Sequence, residues 1–242
     1  MVRPVRRDAP GPRGPGRAIL ITVLVLLLLA VAVDLGLRFL AERWLEDRVR
    51  QTLALERRPD LDIGGFPFVT QFVRGEVERV DVTLRDLRVQ GLHLDEVTIG
   101  LRRVAFDRVD VLAGRSGSVR VRRGAATVEI DEPTLNGVLR DRGLPVSVEL
   151  LGPRVRATSR IEVEGRRATA SAEGTLDLEG TTLVFDPGEV SVEGAFGVPP
   201  AALAFRVDLP LLFPGLTYED VRVREAVLAL RADLDDTVLD LG

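Results

Sequence analysis

The chain has 242 residues, a formal net charge of −4, no cysteine and a single histidine, His93. These numbers exclude disulfides, thiol catalysis and cysteine metal sites, and they leave a Ser-His-Asp centre or a multi-histidine metal site with one participant at most. With no basic cluster beyond the first 17 residues, nucleic acid is not an expected partner, and the sequence predicts neither a metal nor a cofactor.

The N-terminus has the order of a membrane-targeting segment. Five arginines within residues 1–17 precede an apolar run over 18–33, which further apolar residues prolong to Leu40. Arginines before such a run stay in the cytoplasm, so the N-terminus is expected inside and the remainder extracytoplasmic. We predict a disordered cytoplasmic tail over 1–17, a transmembrane anchor or signal helix over 18–40 and an extracytoplasmic domain over 41–242.

The apolar run has three interpretations. A single-pass anchor in the cell membrane is favoured because the helical pattern continues without a turn signal. Cleavage after Ala32, in the small-x-small sequence Ala30-Val31-Ala32, would instead release the domain into a periplasm-like space. A buried core helix is the third.

An amphipathic helix is predicted to follow the apolar run. Apolar residues recur at intervals of three and four from Leu37 to Leu53, arginines and carboxylates fill the other face, and Pro59 stops the pattern after about Leu55. Its stripe is expected to pack against the following domain, the alternative being the headgroup layer of the membrane.

From Glu76 the apolar period changes to two, which indicates β-strands. The alternation slips by one residue at Asp86, which predicts a bulge, and the next candidate strands cover 96–104, 106–112, 118–122 and 126–130. A short helix is predicted to begin at Asp131, as its cap, with a stripe of Leu135, Val138 and Leu139.

Further strands are predicted after Pro145. One strand, over 167–178, carries Ala168, Ala170, Ala172 and Gly174 on a single face, which predicts an unfilled strip beneath the sheet unless a helix packs closely there. The chain is expected to finish with a hairpin over 221–234 and an edge segment over 238–241. No helix is long enough for βαβ crossovers, so the fold class is α+β with an antiparallel sheet.

The sequence from Ile63 to Gly75 is the most unusual of the exported part. Phe66, Phe68 and Phe72 follow two glycines and flank Pro67. They are either a core plug, each contributing about 1.5–3 kcal/mol by burial, or the mouth of an apolar pocket.

This segment carries a family resemblance. Gly64-Gly65-Phe66-Pro67-Phe68 with Thr70-Gln71 and Gly75, together with the later Leu209-Pro210 and Pro214-Gly215-Leu216, resembles the signature of the LmeA-like phospholipid-binding envelope proteins of actinobacteria. The resemblance implies a tubular lipid-binding (TULIP-like) domain, in which a curved antiparallel sheet wraps around a long amphipathic helix and encloses an apolar groove. It implies no catalytic residue.

The sequence therefore predicts a non-enzymatic protein that holds acyl chains of a phospholipid or a lipid-linked glycan precursor and supports envelope lipid or lipoglycan maintenance, with the membrane and an envelope protein as further partners. The candidate lining residues are Phe66, Phe68, Phe72, Leu135, Leu139, Ala170, Ala172, Leu212 and Phe213.

Two alternatives from other classes remain open, namely a ligand-free scaffold and a lipid hydrolase. The hydrolase lacks support because the acidic pairs at 95–96, 131–132 and 235–236 are expected in turns or helix starts, where capping explains them. Ser116 lacks the glycines of a nucleophile elbow, Ser147 and Ser159 fall on strands, and His93 is expected on a strand surface.

Overall fold

The chain folds into an α+β architecture with two antiparallel sheets, as seen in a computed structural model that describes residues 15–89, 92–115, 117–163, 166–193, 203–209, 215–224 and 226–240. The helices are α1 (Pro15–Thr52), α2 (Phe68–Arg74), α3 (Arg108–Leu112) and α4 (Glu132–Asp141). The strands are β1 (Asp60–Gly64), β2 (Glu76–Val89), β3 (Leu92–Phe106), β4 (Ser118–Asp131), β5 (Val146–Leu150), β6 (Val155–Val163), β7 (Arg166–Glu179), β8 (Thr182–Glu193), β9 (Phe205–Asp208), β10 (Leu216–Arg224) and β11 (Val227–Asp240).

The chain builds one sheet, leaves it, and returns to complete it. The six-stranded sheet has the order β1-β2-β3-β4-β11-β10, and the five-stranded sheet has the order β5-β6-β7-β8-β9. Helix α4 joins the two sheets and contacts β3 and β4 of the first and β5 of the second. The predicted α+β class with a curled antiparallel sheet and a long N-terminal apolar helix is confirmed.

Helix α1 is continuous from Pro15 through the small residues at 30–32 to Thr52. Its apolar side chains from Leu20 to Leu29 are exposed, and the helix is long and apolar enough to cross a membrane or to act as a signal sequence. The second half of α1 runs along β1 and α2. The apolar half is therefore not part of the domain core.

The two ends of the six-stranded sheet carry different helices. At the α2 end, β2 begins next to α2, and β3 ends at Phe106 next to α3. At the α4 end, β4 ends at Asp131 and β11 begins opposite it at Val227. Asp34 of α1 lies at the α2 end, where it contacts α2. The chain that follows α1 reaches the α4 end, where Arg57 pairs with Asp86 of β2.

Two buried clusters divide the apolar interior between them. The larger lies between the sheets and includes Leu139, Leu183 and Leu228, none of which is exposed. The smaller lies at the α2 end and joins β1, α2, β2 and β3 with the inner face of α1, with members Leu61, Ile63, Phe68, Val77, Val80 and Val104. The predicted docking of the amphipathic stripe is seen in part: Ala41, Leu45 and Val49 pack against these clusters. The other stripe residues are exposed, namely Leu37, Leu40, Trp44 and Leu53.

Two predicted strand features are wrong. Residues 106–112 are not a strand, because Asp107 accepts a hydrogen bond from the Val109 amide at 2.7 Å and starts α3. Asp86 takes a left-handed φ of 55°, but β2 and β3 keep one register on both sides of it, so both strands change face without an inserted residue. The shift in the alternation at Asp86 is therefore a kink shared by β2 and β3, and not a bulge.

Three other expectations also need correction. The strands predicted over 118–122 and 126–130 form one strand, β4, because Gly124 stays paired on both sides, opposite Leu101 of β3 and Leu234 of β11. The predicted edge segment over 238–241 is not separate from the hairpin but is the end of β11, where residues 238–240 pair with β4 and extend beyond the described part of β10, which begins opposite Leu234. The acidic pairs 95–96 and 235–236 lie within strands β3 and β11, not in turns.

Candidate functional site

The aromatic segment divides its three rings between the core and the surface. Phe68 is buried in the smaller cluster, and the Phe72 ring packs at a tilt between those of Phe68 and Phe106, with centroids 6.2 and 5.7 Å apart. Phe66 is 62% exposed. Phe68 and Phe72 therefore pack as a plug at the α2 end, whereas Phe66 presents its ring to the outside.

The glycine and glutamine of this segment are explained by local packing. Gly65 has a φ of 99°, and a side chain there would collide with the amide group of Gln71. The Gln71 side chain is buried, and its Oε1 accepts the backbone amide of Glu78 at 2.8 Å. This contact fixes α2 against the start of β2.

A carboxylate of the apolar helix holds α2 in place. Asp34, which is 5% exposed, accepts the backbone amides of Phe68 and Val69 at 2.9 and 2.8 Å. These amides belong to the first turn of α2, which has no partner for them within the helix. Asp34 thereby caps α2 from a distant part of the chain and fixes the domain to α1.

More contacts between α1 and β1 follow one and two turns further along. Arg38 pairs with Asp62 and with Glu42, and Glu42 also accepts the Ile63 amide at 2.9 Å. The second half of α1 is thus part of the folded domain.

Helix α3 lies beside α2 at the same end of the sheet. The Phe106 amide donates to the Gly75 carbonyl at 2.9 Å, and the Arg108 guanidinium donates to the Val73 carbonyl. Both helices and the loop before α2 expose large apolar side chains, which we call the apolar patch: Phe66, Val69, Val73, Val109 and Leu112.

Helix α4 crosses the space between the two sheets. Asn136 accepts the Val148 amide and donates to its carbonyl, at 2.7 and 2.8 Å, and Glu132 accepts the Leu150 amide. At its other end, Arg142 donates to the Asp208 carbonyl of β9 at 2.7 Å. The helix is therefore fixed to both edge strands of the five-stranded sheet. Asp131 is its N-cap, as predicted, and accepts the Thr134 amide.

An apolar cavity lies under α4 at the α4 end. Its walls come from α4, from β3, β4 and β11 of one sheet, and from β8 and β9 of the other: Leu94, Ile130, Leu135, Val138, Leu183, Val207, Leu209 and Leu228, with Thr134, Arg142 and Asp208 as its polar members. The volume is about 20 Å³, which is room for one water. Burial raises the pKa of Tyr218, in the same cluster, so its phenol is neutral through the physiological range.

The small residues of β7 are explained by more than one feature of the structure. Ala170 and Ala172 are buried, at 0% and 2% exposure. At Gly174 the pairing with β8 shifts register, and an added Cβ would collide with the Asp186 carbonyl and the ring of Phe185. Gly174 is therefore explained by the close approach of β8 and not by an empty strip.

This explanation of Gly174 is tested by Gly174→Ala. We expect a loss of about 1–3 kcal/mol in the free energy of unfolding, because the new methyl group must displace backbone. Gly137→Ala on α4, where a Cβ meets nothing, is the matched control and is expected to gain about 0.5–1 kcal/mol. Denaturant unfolding of the full chain in detergent measures both free energies. If Gly174→Ala leaves the free energy of unfolding unchanged, the empty strip is again the better explanation of Gly174.

The structure brings together only part of the predicted lining set. Leu135 and Leu139 lie at the α4 end, whereas Phe66, Phe68 and Phe72 lie at the α2 end. Along β3 the two regions are separated by the 12 residue steps from Leu94 to Phe106, about 40 Å. Leu212 and Phe213 lie outside the described residues, and the lipid contact of all nine residues stays a prediction.

A larger open cleft of about 520 Å³ lies between α1 and β1, but its character is polar. Glu42, Glu46, Asp60 and Asp62 face Arg43, Arg58 and Arg85 there. Within the described part of the chain no group of three acidic or histidine side chains is placed to hold a metal ion. The cleft is therefore lined by opposing charges and does not resemble an acyl-chain site.

The serines considered for catalysis have structural partners. Ser147 and Ser159 donate to the carbonyls of Thr158 and Pro145, and Ser116 lies outside the described residues. His93 falls in β3, where its backbone is opposite Arg88. These contacts give no support to Ser147 or Ser159 as a catalytic nucleophile.

Sequence reasoning missed Asp34, Asn136 and the exposed side chains of α3. A signal existed for Asp34, because it is the one ionisable residue between Arg17 and Arg38. A signal for α3 was the pair of a capping Asp107 and a terminal Gly114. Nothing in the local pattern marks Asn136, whose partner strand follows ten residues later.

Comparison with known proteins gives one match. A family model described as LmeA-like phospholipid-binding matches residues 32–233 of the chain. No curated protein and no solved structure matches it. The matched range begins two residues before Asp34 and includes the second half of α1, the apolar patch and both sheets except residues 234–240 of β11.

Proposed function

The chain belongs to the LmeA-like phospholipid-binding family, and from that premise we propose that it is a non-enzymatic, extracytoplasmic protein that encloses acyl chains between its two sheets. The lipid is a phospholipid or a lipid-linked glycan precursor, and its enclosure serves the maintenance of envelope lipids or lipoglycans. Helix α1 anchors the protein in the cell membrane, with the arginine-rich N-terminus in the cytoplasm.

The observation that carries this proposal is the apolar cavity under α4. Its apolar walls come from both sheets, and two of its polar members, Arg142 and Asp208, meet at the C-terminal end of α4, whereas Thr134 lies in the first turn of the helix. Such a division suits a two-part ligand, with acyl chains inside and a headgroup at the rim. The Arg142 guanidinium is a suitable donor for a phosphate oxygen.

The cavity must enlarge to take a lipid, because about 20 Å³ is far below the ~300–1,000 Å³ of ligand pockets. Helix α4 is the element whose displacement would enlarge it, since this helix forms one wall. The Asn136 and Glu132 contacts carry β5 along with α4, whereas the Arg142 bond to the Asp208 carbonyl and the backbone bonds of Glu132 and Leu150 to Ala226 have to break. Strand β6, which pairs with β5, has to move with it or release it. We propose that α4 and β5 move outward as a unit.

The test uses a matched pair of tryptophans on α4. Val138→Trp places an indole in the cavity wall, whereas Gly137→Trp places one where a Cβ meets open space. The full chains are produced in cells, purified in detergent and examined by native mass spectrometry for a tightly held lipid. We expect a stoichiometric, chemically unchanged lipid on the wild type and on Gly137→Trp, and a loss of at least about tenfold in occupancy on Val138→Trp, the equivalent of about 1.4 kcal/mol.

Annular lipid bound to α1 would be equal in all three proteins, so the comparison isolates the cavity. Equal loading of Val138→Trp and Gly137→Trp would place the lipid elsewhere, and no retained lipid on the wild type would overturn the proposal.

The small cavity volume favours one alternative, a scaffold whose apolar residues are all core. A scaffold retains no lipid beyond the annular one, and its delipidated and native forms melt at the same temperature. A hydrolase would release a chemically altered lipid and lose turnover on His93→Ala.

A further inference from the structure

The apolar patch lies at the end of the domain from which the apolar half of α1 emerges. Asp34 holds the first turn of α2 at 2.8–2.9 Å, so α2 has a fixed position relative to α1. The helix continues N-terminally from Asp34 for 19 residues to Pro15, about 29 Å, while its other half runs toward the α4 end. Any membrane that contains the apolar half of α1 is therefore next to α2.

The length of the apolar run fixes how close that membrane comes. Between Arg17 and Arg38 lie 20 residues, about the number that a helix needs to cross the ~30 Å hydrocarbon layer. Asp34 is the sole ionisable residue among them and lies about 24 Å from Ala18. A span that begins at Ala18 therefore places Asp34, and with it the start of α2, about one turn inside the outer hydrocarbon boundary.

A carboxylate at that depth requires compensation. Asp34 is buried against α2 and accepts two backbone amides, so its charge faces protein and not lipid. The apolar patch at the same end of the domain is exposed, with Phe66 at 62%, Val73 at 57% and Leu112 at 75% exposure. The buried charge of Asp34 and the exposed apolar side chains are both what the boundary of the hydrocarbon layer requires.

From this geometry we infer that the apolar patch of α2 and α3 inserts into the outer leaflet of the membrane that α1 crosses, so that the domain stands on the bilayer with its α4 end about 40 Å away. The inference rests on the membrane anchoring proposed above. The charged residues beside the patch are nearly balanced, because Arg74, Arg108 and Arg115 are opposed by Asp107 and Asp110. Insertion is therefore apolar in origin and independent of anionic lipid.

The absence of cysteine makes a depth measurement direct. Single cysteines are introduced at Val73 and Leu112 in the patch, at Leu26 in the apolar run, and at Leu151 as a control, and each is labelled with an environment-sensitive fluorophore. Leu151 is a half-exposed apolar residue in the turn next to Leu150, which binds the Ala226 amide at the α4 end. The full chain is placed in phosphatidylcholine nanodiscs, with and without phosphatidylglycerol.

We expect the labels at positions 73 and 112 to be quenched by phospholipids that carry a nitroxide near the carbonyl end of the acyl chain, and to lose most of their quenching by aqueous iodide. The label at position 151 is expected to show the opposite, and neither result changes with phosphatidylglycerol. Iodide-accessible labels at both patch positions overturn the inference. Labels protected from iodide but not quenched by the lipid nitroxide also overturn it, because they report a protein partner or a second copy.

The Leu26 label separates this inference from the proposed anchoring. If that label is quenched by nitroxide lipid and the patch labels are not, anchoring stands and patch insertion fails. If the Leu26 label is exposed to iodide, anchoring itself fails. Lipid retention by the Val138→Trp and Gly137→Trp proteins is read separately and depends on neither result.

Discussion

Replacing Asp34 with leucine is expected to detach α2 from α1. The substitution leaves the Phe68 and Val69 amides without an acceptor, and each buried orphan donor costs about 1–3 kcal/mol. Because the leucine also makes α1 more apolar, membrane insertion of the helix is not impaired. The expected result is a local loss of structure around α2 in a chain that is still anchored.

Hydrogen–deuterium exchange of the full chain in detergent measures this loss where it occurs. Peptides that cover 66–75 are expected to exchange much faster in Asp34→Leu, while peptides from β3 and β4 keep their protection. Asp34→Asn retains an oxygen acceptor and is expected to fall between the two. Asp47→Asn is the matched control on the same helix, because its exposed pair with Arg58 is worth at most about 1 kcal/mol. Unchanged exchange at 66–75 would contradict the capping role of Asp34.

The sequence predicts the class of fold because strand alternation and helix capping are local signals. The α4 cap at Asp131 and the antiparallel strands follow from such patterns. The division into two sheets does not, since β10 and β11 return to the first sheet after about 65 residues of chain spent in the second. Pairing of that kind depends on complementary side chains far apart in sequence, which no local period encodes.

The candidate site is predictable in composition and not in arrangement. Aromatic and small residues are visible in the sequence, but Phe68 and Leu135 lie at opposite ends of a sheet and not around one groove. The small residues of β7 look alike in the sequence, yet Gly174 is required by a close strand. Equally, the role of Asp34 depends on α2, which is 34 residues away. Each of these distinctions is made by tertiary packing.

Leu139→Ala is expected to convert core packing into space for a lipid. Leu139 is fully buried on the inner face of α4, and its truncation is expected to lower the free energy of unfolding of the lipid-free chain by about 2–5 kcal/mol. If acyl chains occupy the same interior, they refill the space, and the deficit shrinks when lipid is bound. The measurement is the melting temperature of delipidated and lipid-loaded full chain, for wild type and variant.

A matched truncation separates lipid filling from a general effect of lipid on the protein. Val80→Ala removes buried volume from the smaller cluster, at the α2 end, and is expected to be destabilising to the same extent with and without lipid. A deficit in Leu139→Ala that lipid does not reduce would mean that the interior beneath α4 is protein core alone. An apolar space lined by leucine and valine stays dry, so water is not expected to fill the cavity left by Leu139→Ala. A recovery of stability in this variant would therefore report filling by hydrocarbon.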